Sequence, residues 1–215
     1  MDLATFVIII VIIFIIALLA ISTIIVVGVV RTRDNPQDQA VNWEMFAMMA
    51  GLKYIPLRPF RSSARLSGMY RGRELLIDLA NPASDNDSPQ PLTYTRFKLG
   101  IANPAAITLT LVGQSTAQSV TAQPEPHPQP NSPIVTGAAD FDRRFNVTGE
   151  PAGVAEYILV DATLRKQLLE QPPLFEIKIS KQQLVCLRHE VVSEVTALKA
   201  VCELASDVAN AVDAL

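Results

Sequence analysis

Nucleophilic catalysis needs a serine, cysteine or threonine within reach of a base, so the two histidines of this chain, His127 and His189, are the first residues to test. His127 stands in a proline-rich stretch between Pro126 and Pro128, with no partner near it in sequence. His189 follows Cys186 in a segment that alternates like a strand, and residues an odd number of positions apart on a strand point to opposite faces. Without a third ligand nearby, that pair predicts neither a thiolate–imidazole couple nor a zinc site. The remaining cysteine, Cys202, lies in a segment of helical spacing, and two such cysteines make no disulfide framework. Buried, reduced thiols are predicted.

The densest charged cluster is Asp140, Asp142, Arg143 and Arg144. It has the residue types of an acid–base pair or an anion site, but a short helical turn explains it with less. Asp140 would cap the turn, Phe141 and Phe145 would share one face at i, i+4, and the arginines would point outward. Neither a phosphate-cradling P-loop pattern nor a glycine fingerprint after a strand occurs. The sequon Asn146-Val147-Thr148 is short enough to arise by chance. A net charge of -3 and a pI near 5.4 argue against nucleic acid as partner. No catalytic, cofactor-binding or metal-binding residue is therefore predicted, and the chain reads as non-enzymatic.

What dominates the sequence instead is a run from Leu3 to Val30 without a charged residue, interrupted only by Thr5, Ser22, Thr23 and Gly28. About 20 helical residues cross a hydrocarbon core of roughly 30 Å, so residues 1–31 are predicted to form a single transmembrane anchor. A cleaved signal would want a basic start and a small-residue cleavage site, whereas Asp2 precedes this run and no such site closes it. Cationic side chains resist translocation, and Arg31 and Arg33 follow the run directly. The expected topology is a single pass in the cell membrane, with the N-terminus outside and the following domain cytoplasmic. Ala17, Ala20 and Gly28 offer small surfaces for helix contact. The absence of ionisable residues in the run argues against an ion pathway through it.

Residues 32–64 read as a juxtamembrane joint followed by an amphipathic helix. Its Trp43 and Phe46 suit either the core of the domain or the headgroup zone of the bilayer. The stretch 52–65 carries Arg58, Arg61 and Arg65 among prolines and reads as coil; near an anionic leaflet each cation would contribute about 1 kcal/mol. Residues 65–215 are predicted to form the soluble domain. About 185 residues remain outside the anchor, enough for one ordinary core. Period-two alternation marks Leu66 to Tyr70, Leu92 to Ile101, Leu174 to Ile179 and Gln183 to Val192, while Arg73 to Leu79 gives a second short run after a turn at Arg71-Gly72 and Ile107 to Val112 reads as a partner strand. A proline-rich excursion at 114–133 reads as flexible. Pro151 to Gln171 reads as one helix. From Ser193 onward Val195, Leu198, Cys202, Ala205, Ala209 and Val212 form a stripe that suits either the domain's own sheet or a second copy of the chain. The expected fold class is α+β: an antiparallel sheet of about six strands packed by two or three helices.

At Thr136-Gly137, at Asp140-Phe141-Asp142-Arg143-Arg144-Phe145-Asn146-Val147, at Ala155-Glu156-Tyr157-Ile158-Leu159 and at Leu164 the sequence resembles a family of uncharacterised bacterial membrane-anchored proteins. In that family a segment of two phenylalanines and a valine precedes a helix that ends near a leucine pair. The likeness spans roughly Ile134 to Val192 and implies an α+β domain of unknown function, with no catalytic residue to carry over.

The resulting expectation is a membrane-tethered domain acting as an accessory or scaffold subunit of a larger membrane protein assembly. Its partners would be the lipid bilayer and other membrane subunits, and it would use no cofactor. The alternative is a cytoplasmic ligand-sensing or anionic-lipid-binding domain using Arg58, Arg61 and Arg65 with the hairpin arginines Arg71 and Arg73.

Overall fold

Alternation of apolar and polar residues decides most of this fold, and register decides the rest. The computed structural model describes residues 36–57, 64–80, 94–114 and 133–215. The expected anchor at 1–31, with Ala17, Ala20, Gly28 and Arg31, lies outside them, as do Arg33, Arg58, Arg61 and residues 115–132 of the proline-rich excursion. Among the described residues no helix is long and apolar enough to cross a membrane. Contacts divide the chain into Met1–Gln39 and Ala40–Leu215, and the second unit holds the whole sheet.

In chain order the elements are α1 (Pro36–Ala50), β1 (Lys53–Ile55), β2 (Arg65–Tyr70), β3 (Arg73–Ala80), β4 (Tyr94–Gly100), β5 (Thr108–Gly113), α2 (Ala139–Arg144), β6 (Phe145–Glu150), α3 (Ala152–Ile158), α4 (Ala162–Leu169), β7 (Glu176–Ser180), β8 (Gln183–Arg188) and α5 (Val195–Asp213). The strands form one sheet in the order β1-β2-β3-β4-β8-β7-β5-β6, antiparallel at every pairing. Arg71 and Gly72 join β2 to β3 with φ of 49° and 79°, the double left-handed turn whose twist matches a two-residue hairpin.

The α+β class with an antiparallel sheet holds, but the sheet has eight strands rather than about six. One addition is β1, three residues at the sheet edge in a stretch that its prolines make look like coil. The other is β6. Its inward Phe145 and Val147 alternate with Asn146, yet Phe145 also sits four residues after Phe141, and that helical spacing masks the strand. Both phenylalanines are buried, with ring centroids 4.9 Å apart. The single helix expected over Pro151 to Gln171 is two, because Asp161 accepts hydrogen bonds from the N–H groups of Thr163 (2.7 Å) and Leu164 (3.4 Å) and so starts α4 afresh.

Register brings inward side chains into rows that cross the sheet. Leu66, Ile77, Phe97, Cys186, Ile177, Leu111 and Val147 form one row, and Leu75, Leu99, Leu184, Ile179 and Leu109 the next. All are buried. The apolar stripe of α5, including Leu198, Val201, Cys202, Ala205, Ala209 and Val212, is buried with them. That stripe is spent on the chain's own sheet. Trp43, Phe46 and Ala47 of α1 join the same core, and the Trp43 indole N–H donates to the Val192 carbonyl at 2.8 Å. Of the two environments open to Trp43 and Phe46, the core is the one they occupy. The helix expected to lie within a joint at 32–64 thus shares its packing with the domain expected from 65.

Where β5 ends, Gly113 donates its N–H to Phe175 O at 2.8 Å, and a Cβ there would lie 3.1 Å from Leu174 N and 3.2 Å from Phe175 N and O. Backbone cannot retreat as a flexible side chain does. Gly113→Ala is expected to cost about 2 kcal/mol, seen as a lower denaturant midpoint with unchanged slope.

Candidate functional site

Half of the charged cluster is structural. Asp142, not Asp140, does the holding: its carboxylate accepts from Thr136 N (3.0 Å), Thr136 Oγ1 (2.7 Å) and Gly137 N (3.1 Å). Burial pushes the Asp142 carboxyl up, but the Thr136 and Gly137 hydrogen bonds and the charge of Arg165 outweigh it and hold the group below its usual range. Asp140 makes no capping bond beyond Phe141 N at 2.9 Å. Arg143 is exposed as expected, whereas half-buried Arg144 turns back to donate to Gln171 O at 2.8 Å. Asp142 and Arg144 are thus spent on turns and helix ends, whereas Asp140 and Arg143 stand exposed at the surface.

Cys186 and Cys202 are buried and free, and burial pushes both thiols up, Cys202 to about 12. Thiols so protonated are poor nucleophiles. Among the described residues no group of three His, Cys, Asp or Glu is placed to hold a metal ion.

The hairpin arginines bind α5. Arg71 pairs with Glu203 (3.3 Å) and lies over the Tyr70 ring at 5.7 Å. Arg73 pairs with Asp213 and donates to Asn210 Oδ1 at 2.9 Å. Asp213 also accepts from Ala102 N (2.8 Å) and Asn103 N (3.0 Å). Asn103, at φ 46°, pins the β4–β5 connection by donating to Ile107 O and Lys181 O and accepting from Ile107 N. This clasp ties the last turn of α5 to two loops. Arg73 is therefore committed to a partly buried contact, whereas Arg71 keeps half of its side chain in solvent and Arg65 is exposed at the head of β2.

A different feature could meet a ligand. The face of the sheet turned away from α5 forms a shallow groove of about 540 Å³ over β4, β8 and β7. Lys98, Val185 and Lys178 stand opposite one another across these strands, so two cations flank one apolar side chain at about 10 Å, twice the strand spacing. Among the described residues neither lysine has an ion-pair partner. In the next row Arg96 is held by a bidentate fork to Asp78 (2.8 and 2.7 Å), followed across the strands by Leu187 and Glu176. The Asp78 hydrogen bonds raise the Arg96 pKa against the opposing effect of burial. His189 closes one end, edge-on to Tyr94 with centroids 4.3 Å apart; burial lowers its pKa against the pull of Glu176. Such a surface suits an anion with an apolar body.

Sequence reasoning missed Lys98 and Lys178. Each has the outward parity of its strand, but β4, β8 and β7 are neighbours only through a non-sequential strand order.

No family model matches the chain, and no curated protein does. The fold is similar to that of the mycobacterial trehalose monomycolate transport factor A, TtfA, seen in its crystal structure, with a TM-score of 0.52 at 12% identity. The likeness covers 82% of this chain and 96% of that one. At such identity it speaks for the fold alone.

Proposed function

We propose that this chain is a single-pass, membrane-tethered, non-enzymatic accessory subunit of a membrane protein assembly that moves lipid. Its N-terminus would lie outside and its domain on the cytoplasmic side. The carrying observation is the likeness of fold, along nearly the whole of the other chain, to a protein whose name makes it a trehalose monomycolate transport factor. The charge-free run from Leu3 to Val30 supports tethering, and Arg31 and Arg33 support the orientation. Tethering raises the effective concentration of the domain for other membrane proteins, so a modest interface suffices. Purification of the full chain from membranes in mild detergent, followed by mass spectrometry, is expected to return a membrane protein in fixed ratio with it. Recovery of this chain alone as a monomer would sink the accessory reading. Deleting residues 1–35 is expected to release the protein from the membrane fraction.

A second reading is favoured by the unpaired Lys98 and Lys178: the groove takes an anionic amphiphile. At about 1 kcal/mol per cation, Lys98→Gln with Lys178→Gln is expected to weaken binding of a fluorescent single-chain anionic amphiphile by ten- to thirty-fold. Equal binding of its uncharged analogue would exclude this reading.

A further inference from the structure

Helix α1 is apolar on two sides. Trp43, Phe46 and Ala47 turn into the core, exposed by 0%, 3% and 3%. Around the helix, Val41, Met45, Met48 and Met49 fall at i, i+4, i+7 and i+8, and they are 60%, 41%, 73% and 67% exposed. A helix apolar all round is ordinarily covered all round, and a contiguous apolar stripe in water marks an interaction surface. Among the described residues of the unit Ala40–Leu215, nothing covers this one.

Two observations indicate what does. The chain preceding the described residues ends where α1 begins, at Pro36, and the charge-free run ends at Val30. Even fully extended, the chain between Val30 and Val41 holds the stripe within about 40 Å of the end of that run. Secondly, α1 contains no Lys or Arg, and Asp38 and Glu44 are its only charges. The helix itself therefore adds no attraction to an anionic surface, and whatever affinity its stripe has for a membrane must be hydrophobic. Methionine suits this, since its unbranched, polarizable side chain adapts to an irregular apolar surface.

We infer that the Val41, Met45, Met48 and Met49 stripe rests in the headgroup–acyl boundary of the bilayer that holds the N-terminal run, so that the domain lies against the membrane. The inference rests on the tethering reading above and adds a second membrane contact to it.

The test uses the full chain at one copy per nanodisc of phosphatidylcholine, with a spin label at Met48→Cys. Both native thiols are buried, so labelling is confined to the introduced cysteine. Met69→Cys serves as reference, because Met69 is 60% exposed on β2, on the side away from the core. The Met48 label is expected to collide readily with oxygen and to be shielded from a water-soluble nickel chelate several-fold more than the Met69 label, unchanged in 1 M salt. Equal access of the chelate to both labels overturns the inference. A Met48 label immobilised and shielded from both reagents also overturns it, since the cover is then protein. Failure of the chain to enter discs would bring down the tethering reading too, whereas an inserted chain with a watery Met48 label removes only the present inference.

Discussion

Trp43→Ala is expected to lower the stability of the domain by about 4 kcal/mol, a large part of the 5–15 kcal/mol that usually separates folded from unfolded protein. Trp43 is fully buried and is the chain's only tryptophan. Truncation removes its transfer energy and opens a cavity between α1 and the rest of the core, and it leaves the Val192 carbonyl without its donor. Trp43→Phe separates these effects: it keeps most of the volume and loses the N–H, so about 1 to 2 kcal/mol is expected. Since both variants remove the fluorophore, unfolding is followed by circular dichroism. A loss below about 1 kcal/mol for Trp43→Ala would mean that α1 is not part of the core.

Asp213→Ala is expected to cost about 3 kcal/mol at neutral pH, because it strands the N–H groups of Ala102 and Asn103 together with the Arg73 guanidinium. The penalty depends on pH in a defined sense. Burial pushes the Asp213 carboxyl up, but hydrogen bonds from Asn103, Arg73 and Ala102 and the charge of Arg73 outweigh it, so the folded-state pKa lies below the unfolded one. The carboxylate's contribution is therefore complete above the unfolded value of about 4 and is lost as pH falls through the folded value. Denaturant midpoints of Asp213→Ala and the parent should lie furthest apart at pH 7 and draw together progressively as pH falls below about 4. A gap that stays constant over that range would show that the carboxylate charge contributes nothing.

The sequence was most legible where one periodicity dominated. Strands β2, β5, β7 and most of β4 and β8 show plain alternation, β3 reads as a short apolar run, and the stripe of α5 repeats at helical spacing over its whole length. Legibility failed where two signals overlapped. Phe145 serves a helical pair with Phe141 and also opens a strand, and Asp161 interrupts what otherwise reads as one helix from Pro151. It failed again where the answer lies in pairing rather than pattern. Lys98 and Lys178 become neighbours of Val185 only because β8 inserts between β4 and β7, and no local rule supplies that. The second face of α1 was hidden for a related reason: spacing marks the helix as amphipathic, and only packing reveals that Trp43, Phe46 and Ala47 are covered while Val41 and the methionines are left outside.

The pairing of β4 with β8 also bears on how the protein is made. Phe97 meets Cys186, which leaves the ribosome roughly 90 residues later. At about 5–20 residues per second, β4 waits some 5 to 18 s with its hydrogen-bonding edge open. Bare edges of this kind recruit other strands. Synthesis of the amino-terminal half is thus the stage at which the edge of β4 is most open to a chaperone, or to another strand.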